Sequence, residues 1–346
     1  MTRMHADLKN CVKALTRSVG RPVLLGLSML LLLALGSRQV GATETLRLAV
    51  SMTPLSLPIF VAEQQGYFAE AGLQLRLQEV VGGHRAMQLL LEGKADLATA
   101  SEAVLMFNSF KSPPLALLAS FVSSGNDSKL VLGPNSDIKQ VKDMLGKRVG
   151  TVLGTASHYM LDTTLLAHGV DPNKVQIINL QPEAMADLLK SGQVDAVAIW
   201  EPLPFKLLQA LPGSQVLPTS GSYRLSFNLI AAKAMLGPRD EELQKVLAAL
   251  ERAERFIALK PDQAQALLRA RLKLDQAFID WIWPSYHYRL ALDQWLLSSL
   301  EAEARWARQG GHIKGLEGSA RSPNYLDLIY AKPLRKIAPA SVGLID

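Results

Sequence analysis

The first regular pattern beyond residue 42 is an apolar strand, Leu46-Arg47-Leu48-Ala49-Val50, that runs into Ser51-Met52-Thr53-Pro54 and then a helix ending near Gly66. A second alternating strand, Leu73 to Glu79, leads through Gly82-Gly83-His84 into a helix reaching Leu91. Gly93 stops that helix, and Asp96 opens a short strand, Leu97 to Ala100, that ends at Ser101-Glu102. Leu115 to Phe121 reads as a buried strand. The same order restarts at Gly146-Lys147-Arg148-Val149-Gly150-Thr151-Val152, followed by Gly154-Thr155-Ala156-Ser157-His158 at the start of a helix.

The two halves align at one place with a constant offset of 99: Leu89-Leu90, Gly93, Asp96 and Ser101 match Leu188-Leu189, Gly192, Asp195 and Trp200. Alternating strands and helices predict mostly parallel sheets with right-handed crossovers, and two copies predict two similar lobes. Ligands of open α/β sheets sit at the carboxyl ends of the strands, so the site is expected between the lobes. Ser123-Ser124-Gly125-Asn126-Asp127 and Thr219-Ser220-Gly221-Ser222 have the composition of crossing or hinge segments. After Asn228 the pattern is helical, with a Trp-rich stretch from Trp281 to Trp306 expected to cover the first lobe. The cluster Trp281, Trp283, Tyr286, His287 and Tyr288 is expected to be helix packing and a turn at Pro284, away from the cleft.

The net charge of +6 on 346 residues invites a nucleic-acid reading until it is located. Residues 1–42 carry +5 of it, and the remainder is almost neutral. That front segment has a basic stretch to Arg21, an apolar run from Val23 to Leu35, and small residues at Val40 and Ala42, the form of a secretory signal cleaved after Ala42. As a helix the run would span about 20 Å where a bilayer core needs about 30 Å, so a permanent anchor is the weaker alternative. The only cysteine, Cys11, would leave with it. A periplasmic protein without thiols or disulfides is expected, with no nucleic-acid partner.

Among candidate chemistries, no Gly-x-Ser-x-Gly elbow, Walker loop or Gly-x-Gly-x-x-Gly occurs. His84, His158, His168, His287 and His312 show no zinc-ligand spacing, so neither metal nor cofactor is expected, the alternative being a pair of His84 and His158 across the cleft. Thr155, Ala156 and Ser157 stand where a strand gives way to a helix, where backbone N–H groups and hydroxyls can hold an anion. The competing reading is that Thr155 or Ser157 caps its own helix. Gly82 and Gly83 allow close backbone approach at the matching turn, with His84 either a contact or an exposed helix-start residue. Ser51, Met52 and Thr53, with Ser101 and Glu102, line one wall in this reading, though Glu102 could instead cap the next helix. Trp200 is either the floor of the site or a core residue. Glu201 would repel an anion but accept hydrogen bonds from an amine or aminopyrimidine, unless it turns away or pairs with Arg224 or Lys129.

The runs Ala62-Glu63-Gln64-Gln65-Gly66-Tyr67-Phe68, Ala71-Gly72-Leu73, Leu145 to Gly150, Gly154-Thr155-Ala156-Ser157, and Gly192-Gln193-Val194-Asp195-Ala196 with Trp200-Glu201-Pro202 resemble the solute-binding proteins of ABC importers. The group they resemble serves sulfonates, taurine, nitrate and the pyrimidine precursor of thiamine. The resemblance covers nearly all of Leu46 to Val342 and implies a two-lobed type II periplasmic binding protein fold, with mostly parallel sheets joined by two crossing strands. Lobe one would hold residues 43–124 and 225–346, and lobe two residues 125–224. It implies a monomeric, non-catalytic receptor that closes on a small organic anion such as a sulfonate, taurine or nitrate and delivers it to an inner-membrane permease with a separate ATPase subunit. The alternatives are a receptor for an aminopyrimidine, a sensory receptor, or a pyrimidine-forming enzyme, which in this family depends on a cysteine-rich segment this chain lacks.

Overall fold

A computed structural model describes residues 45–111, 114–219, 223–313 and 323–344. Residues 1–44, which include the expected secretory signal and Cys11, and Ser220, Gly221 and Ser222 of the second linker, lie outside the described residues.

The strands are β1 (Leu46–Ser51), β2 (Leu75–Val80), β3 (Leu97–Ser101), β4 (Leu115–Ser124), β5 (Ser128–Leu132), β6 (Arg148–Thr151), β7 (Gln176–Asn179), β8 (Ala196–Trp200), β9 (Gln215–Leu217), β10 (Leu225–Ala232), β11 (Tyr286–Asp293) and β12 (Val342–Gly343). The α-helices are α1 (Leu57–Gln64), α2 (Tyr67–Glu70), α3 (Gly83–Leu91), α4 (Glu102–Ser109), α5 (Ala156–Ala167), α6 (Met185–Lys190), α7 (Leu203–Ala210), α8 (Asp240–Leu259), α9 (Pro261–Leu272), α10 (Gln276–Ile282), α11 (Gln294–Gln309) and α12 (Lys332–Ile337).

Two sheets form, one in each lobe. The first has the order β12-β11-β4-β10-β3-β1-β2 and the second β7-β6-β8-β5-β9. The chain crosses from the first to the second after β4, at Gly125-Asn126-Asp127, and returns between β9 and β10. Parallel pairing is less extensive than the strand–helix alternation implies. It joins β1 to β2 and β3, β6 to β7 and β8, and β11 to β12. Both crossings reverse direction: β10 lies antiparallel to β3 and β4, and β5 antiparallel to β8 and β9. The antiparallel strands therefore sit beside the hinge, and the parallel strands carry the loops.

Each lobe sets its sheet with the same device. Arg47 on β1 and Arg148 on β6 each meet an aspartate at the entrance of a neighbouring strand. Asp96 accepts from the Arg47 backbone N–H at 2.8 Å and from its guanidinium at 2.7 Å. Asp195 does the same with Arg148 at 2.7 and 2.8 Å. The glycine upstream of each aspartate, Gly93 or Gly192, has φ near +70°, a conformation L side chains rarely adopt, and ends the helix there.

The C-terminal part is not helical throughout. Tyr286, Tyr288, Leu290 and Leu292 turn inward while His287, Arg289 and Asp293 are exposed, a period of two that makes β11 a strand paired to β4. In α8, Leu243, Val246, Leu247, Leu250, Ala253 and Ile257 follow the 3.6-residue period and bury that face. Each such leucine contributes about 1.5–3 kcal/mol relative to an exposed one. Glu254 of α8 accepts from the Leu290 N–H at 2.7 Å and ties the helix to β11. No helix among the described residues is long and apolar enough to cross a membrane.

Candidate functional site

A small cavity of about 30 Å³ lies between the lobes. Ser51 and Ser101 reach it from the ends of β1 and β3, and Trp200 from the end of β8. Thr53 and Leu55 follow β1, while Gly83 and His84 open α3 and Thr155 and Ala156 open α5. Leu55, Val104, Leu225 and Phe227 supply apolar wall, and Asp127 enters from the first crossing segment. No lysine or arginine is among the lining residues.

The helix starts supply the positive potential. Gly83 packs so tightly that a Cβ there would stand 2.8 Å from Ala100 Cα, so glycine is what lets α3 begin against β3. The first-turn N–H groups of Gly83 and His84, and of Ala156 and Ser157, have no acceptor among the described residues. Thr155 does not cap α5: its hydroxyl donates to Val152 O at 2.7 Å, leaving the first turn free. Ser101, by contrast, does cap α4, accepting from the Val104 N–H at 3.4 Å.

Two buried groups on the lining have no protein partner. Ser51 Oγ is one, and both ring nitrogens of His84 are the other. Burial, helped by the adjacent Arg85 charge, lowers the His84 pKa to about 4, so its imidazole is neutral at neutral pH. Its ring stands edge-on to Trp200 with centroids 5.8 Å apart. Unsatisfied buried polar atoms of this kind cost about 1–3 kcal/mol each, which a bound ligand or water recovers.

Of the expected contacts, Ser51, Thr53, Gly83, His84, Ser101, Thr155, Ala156 and Trp200 line this cavity, and Met52, Glu102, Ser157 and Glu201 do not. Met52 packs on the first-lobe core. Ser157 is fully buried, its hydroxyl 3.0 Å from that of Ser128. Glu102 turns behind the wall, accepting from Tyr223 Oη at 2.5 Å and from the Ser226 N–H at 2.9 Å. Glu201 pairs with Lys129 at 3.0 Å and accepts from Trp281 Nε1 at 2.6 Å. That pair is 4% and 0% exposed, so Glu201 offers no charge to the cavity.

The acid that does face the cavity is Asp127, within a segment whose composition indicated only flexibility. Burial raises its pKa to about 7, against the hydrogen bond from Tyr286 Oη and the nearby Lys129 charge. The aromatic cluster is thus not remote from the site: Tyr286 holds Asp127 and Trp281 holds Glu201. An acid beside a lysine at the junction of two apolar strands was the available signal.

Contacts across the cleft hold the lobes together. Arg85 of the first lobe reaches Glu183 at 2.6 and 2.9 Å and Gln181 at 3.1 Å in the second. Trp306 Nε1 donates to Asp162 at 3.1 Å. The alternative pairing of His84 with His158 does not form: His84 meets Trp200, whereas His158 groups with Asp162 and His312.

Two lobes, two crossings and a site between strand ends define the periplasmic binding protein fold. Residues 53–264 match the family described as NMT1/THI5 like, and the chain belongs to it. The chain is similar to the taurine-binding periplasmic protein of Escherichia coli, at 24% identity over 160 residues, 46% of this chain and 49% of that one. Among solved structures it is similar to the periplasmic aliphatic sulphonate binding protein SsuA of Escherichia coli, with TM-score 0.69 and 20% identity, covering 83% of this chain and 97% of that one. The alkanesulfonate-binding protein SsuA of Xanthomonas axonopodis, bound to MOPS, aligns with TM-score 0.71 and 17% identity, covering 83% and 98%.

Proposed function

We propose that this protein is an exported, non-catalytic receptor that closes its lobes on a small organic solute carrying both an anionic group and an amine, an aminosulfonate of the taurine type. It would deliver that solute to an inner-membrane ABC permease powered by a separate ATPase subunit. The observation that carries the reading is the cavity itself, which the starts of α3 and α5 line together with Asp127. Helix starts favour the anion. The buried carboxyl of Asp127 favours a cationic or hydrogen-bond-donating group and disfavours nitrate or a plain alkanesulfonate, which would leave it unpaired. Ser51 Oγ and the His84 ring supply further polar contacts, and Trp200 with Phe227 supplies the apolar floor. Similarity to taurine- and sulfonate-binding proteins supports the solute class.

A ligand bridging the lobes stabilises the closed form only through contacts the open form lacks, which makes closure the signal to the permease. An aminopyrimidine is the second reading, favoured by the same Asp127 carboxyl.

Calorimetric titration with taurine, ethanesulfonate and an aminopyrimidine separates these readings. Taurine is expected to bind at least roughly tenfold more tightly than ethanesulfonate, a difference of about 1.4 kcal/mol. Asp127→Asn should abolish that preference. The preference should also grow as pH rises through about 7, where Asp127 ionises. Equal binding of taurine and ethanesulfonate overturns the role of Asp127, and a response to the aminopyrimidine alone replaces the sulfonate class. Loss of solute uptake in a deletion strain supports transport, whereas intact uptake with a lost transcriptional response makes the protein a sensor.

A further inference from the structure

His158 and Asp162 stand one turn apart on α5, so their side chains leave the same face of a second-lobe helix. His312 follows α11 on the first lobe and meets them across the interface. One ligand-capable atom from each of the three lies within 4.8 Å of the others. His312 Nε2 is 3.1 Å from Asp162 Oδ2, and the two imidazole rings have centroids 4.6 Å apart. Asp162 is 1% exposed, and its second oxygen, Oδ1, is buried without a hydrogen-bond partner. Its first oxygen also accepts from Trp306 Nε1 at 3.1 Å, which fixes the orientation of the carboxylate. His158 is 3% exposed, and its ring borders the same pocket as His312.

Two imidazoles and a carboxylate, with one carboxylate oxygen left unpaired inside the protein, are the donor set of a borderline-soft divalent cation. The Trp306 N–H holding the carboxylate resembles the outer partners that orient metal ligands. We propose that His158, Asp162 and His312 form a zinc-class divalent metal site that bridges the two lobes. His158 and His312 border a broad cleft that Asn108, Lys111 and Asn179 also line, from which water would complete the coordination. Coordination through His158 Nε2 places the proton on Nδ1 and gives up the long 3.4 Å contact from the Gly154 N–H. Because two ligands belong to one lobe and the third to the other, the complete site exists only when the lobes are together. The metal therefore stabilises the closed form.

The test is calorimetric titration of the metal-free exported protein with zinc chloride, paired with Co2+ absorption as a probe of geometry. One zinc ion per chain is expected, with a visible Co2+ band and a raised melting temperature. His312→Asn lies beyond the helix end, where the fold tolerates change, and His158→Gln removes the second-lobe imidazole. Each should weaken zinc binding at least roughly tenfold. His287→Asn, an exposed histidine elsewhere, should leave it unchanged. Failure of the unaltered protein to bind zinc overturns the site. So does unchanged zinc affinity in either the His312 or the His158 variant when circular dichroism shows both folded.

Discussion

Glu102 and Glu201 stand 99 residues apart, each just past the end of a central strand in its own lobe, and both are fully buried behind the cavity wall. Their surroundings differ in charge. Glu201 faces the ammonium of Lys129 and the Trp281 N–H. Glu102 faces the Tyr223 and Ser226 hydroxyls and a second buried acid, Glu303, whose Oε2 has no partner. Burial and the neighbouring acid push Glu303 well above the usual carboxyl range, and burial raises Glu102 as well. The same residue at the same place in a repeated plan is thus part of an ion pair in one lobe and neighbour to a second buried acid in the other. Each reaches the chain where it crosses between lobes: Glu201 N–H donates to Asp127 O at 3.1 Å, and Glu102 holds Tyr223. The repeat sets where a glutamate sits, and the partner that arrives from elsewhere in the chain decides its charge.

The comparison breaks most visibly at Lys129. Lys129→Met leaves Glu201 buried and unpaired, which should cost about 3–5 kcal/mol in denaturant unfolding, while Lys129→Met with Glu201→Gln should recover most of it. A single-variant loss below about 1 kcal/mol would mean that the pair is open to water. The strand-entry aspartates test the opposite expectation, that the two lobes share a device. Asp96→Ala and Asp195→Ala each remove the acceptor of a backbone N–H and its guanidinium, and each should cost about 1.5–3 kcal/mol, alike in both lobes. A loss confined to one lobe denies the equivalence.

The acid pair gives the smallest effect and a pH signature. A carboxyl whose folded pKa is raised binds its proton more tightly in the folded state than in the unfolded chain. The folded state then holds more protons from about pH 4.5 upward, and stability falls as pH rises through the folded pKa. Glu303→Gln should therefore flatten the decline in melting temperature between pH 5 and pH 8. An unchanged slope in the Glu303 variant would show that the pair is ionised or solvated.

The lobe plan was legible because it rests on local signals. A glycine at φ near +70° ends a helix, an aspartate opens a strand, and the apolar run between them has strand length. Cavity residues at strand ends and helix starts, such as Ser51, Ser101, Gly83 and Ala156, followed from that plan, since a strand end fixes where its last side chain can reach. For Glu201 the sequence leaves a ligand contact, an outward turn and a pairing with Arg224 or Lys129 all open, and choosing among them needs the antiparallel pairing that sets β5 beside β8. β11 was missed because its tyrosines sit in a stretch rich in helical spacing, and its period of two shows only over eight residues. Asp127 was missed because one acid in a Ser/Gly/Asn linker carries no periodic signal.

What the sequence determined by itself is therefore the repeated α/β grammar and the strand-to-helix turns of its two copies, set by glycine conformation, apolar period and helix-start chemistry within a few residues. What only the tertiary structure decided is the state of each buried ionisable group. Lys129 pairs with Glu201, Tyr286 holds Asp127 at the cavity, Glu102 presses on Glu303, and His312 meets His158 and Asp162. Each of these meetings joins residues distant in the chain, and the desolvation that makes them matter exists only once the lobes and their covering helices have packed.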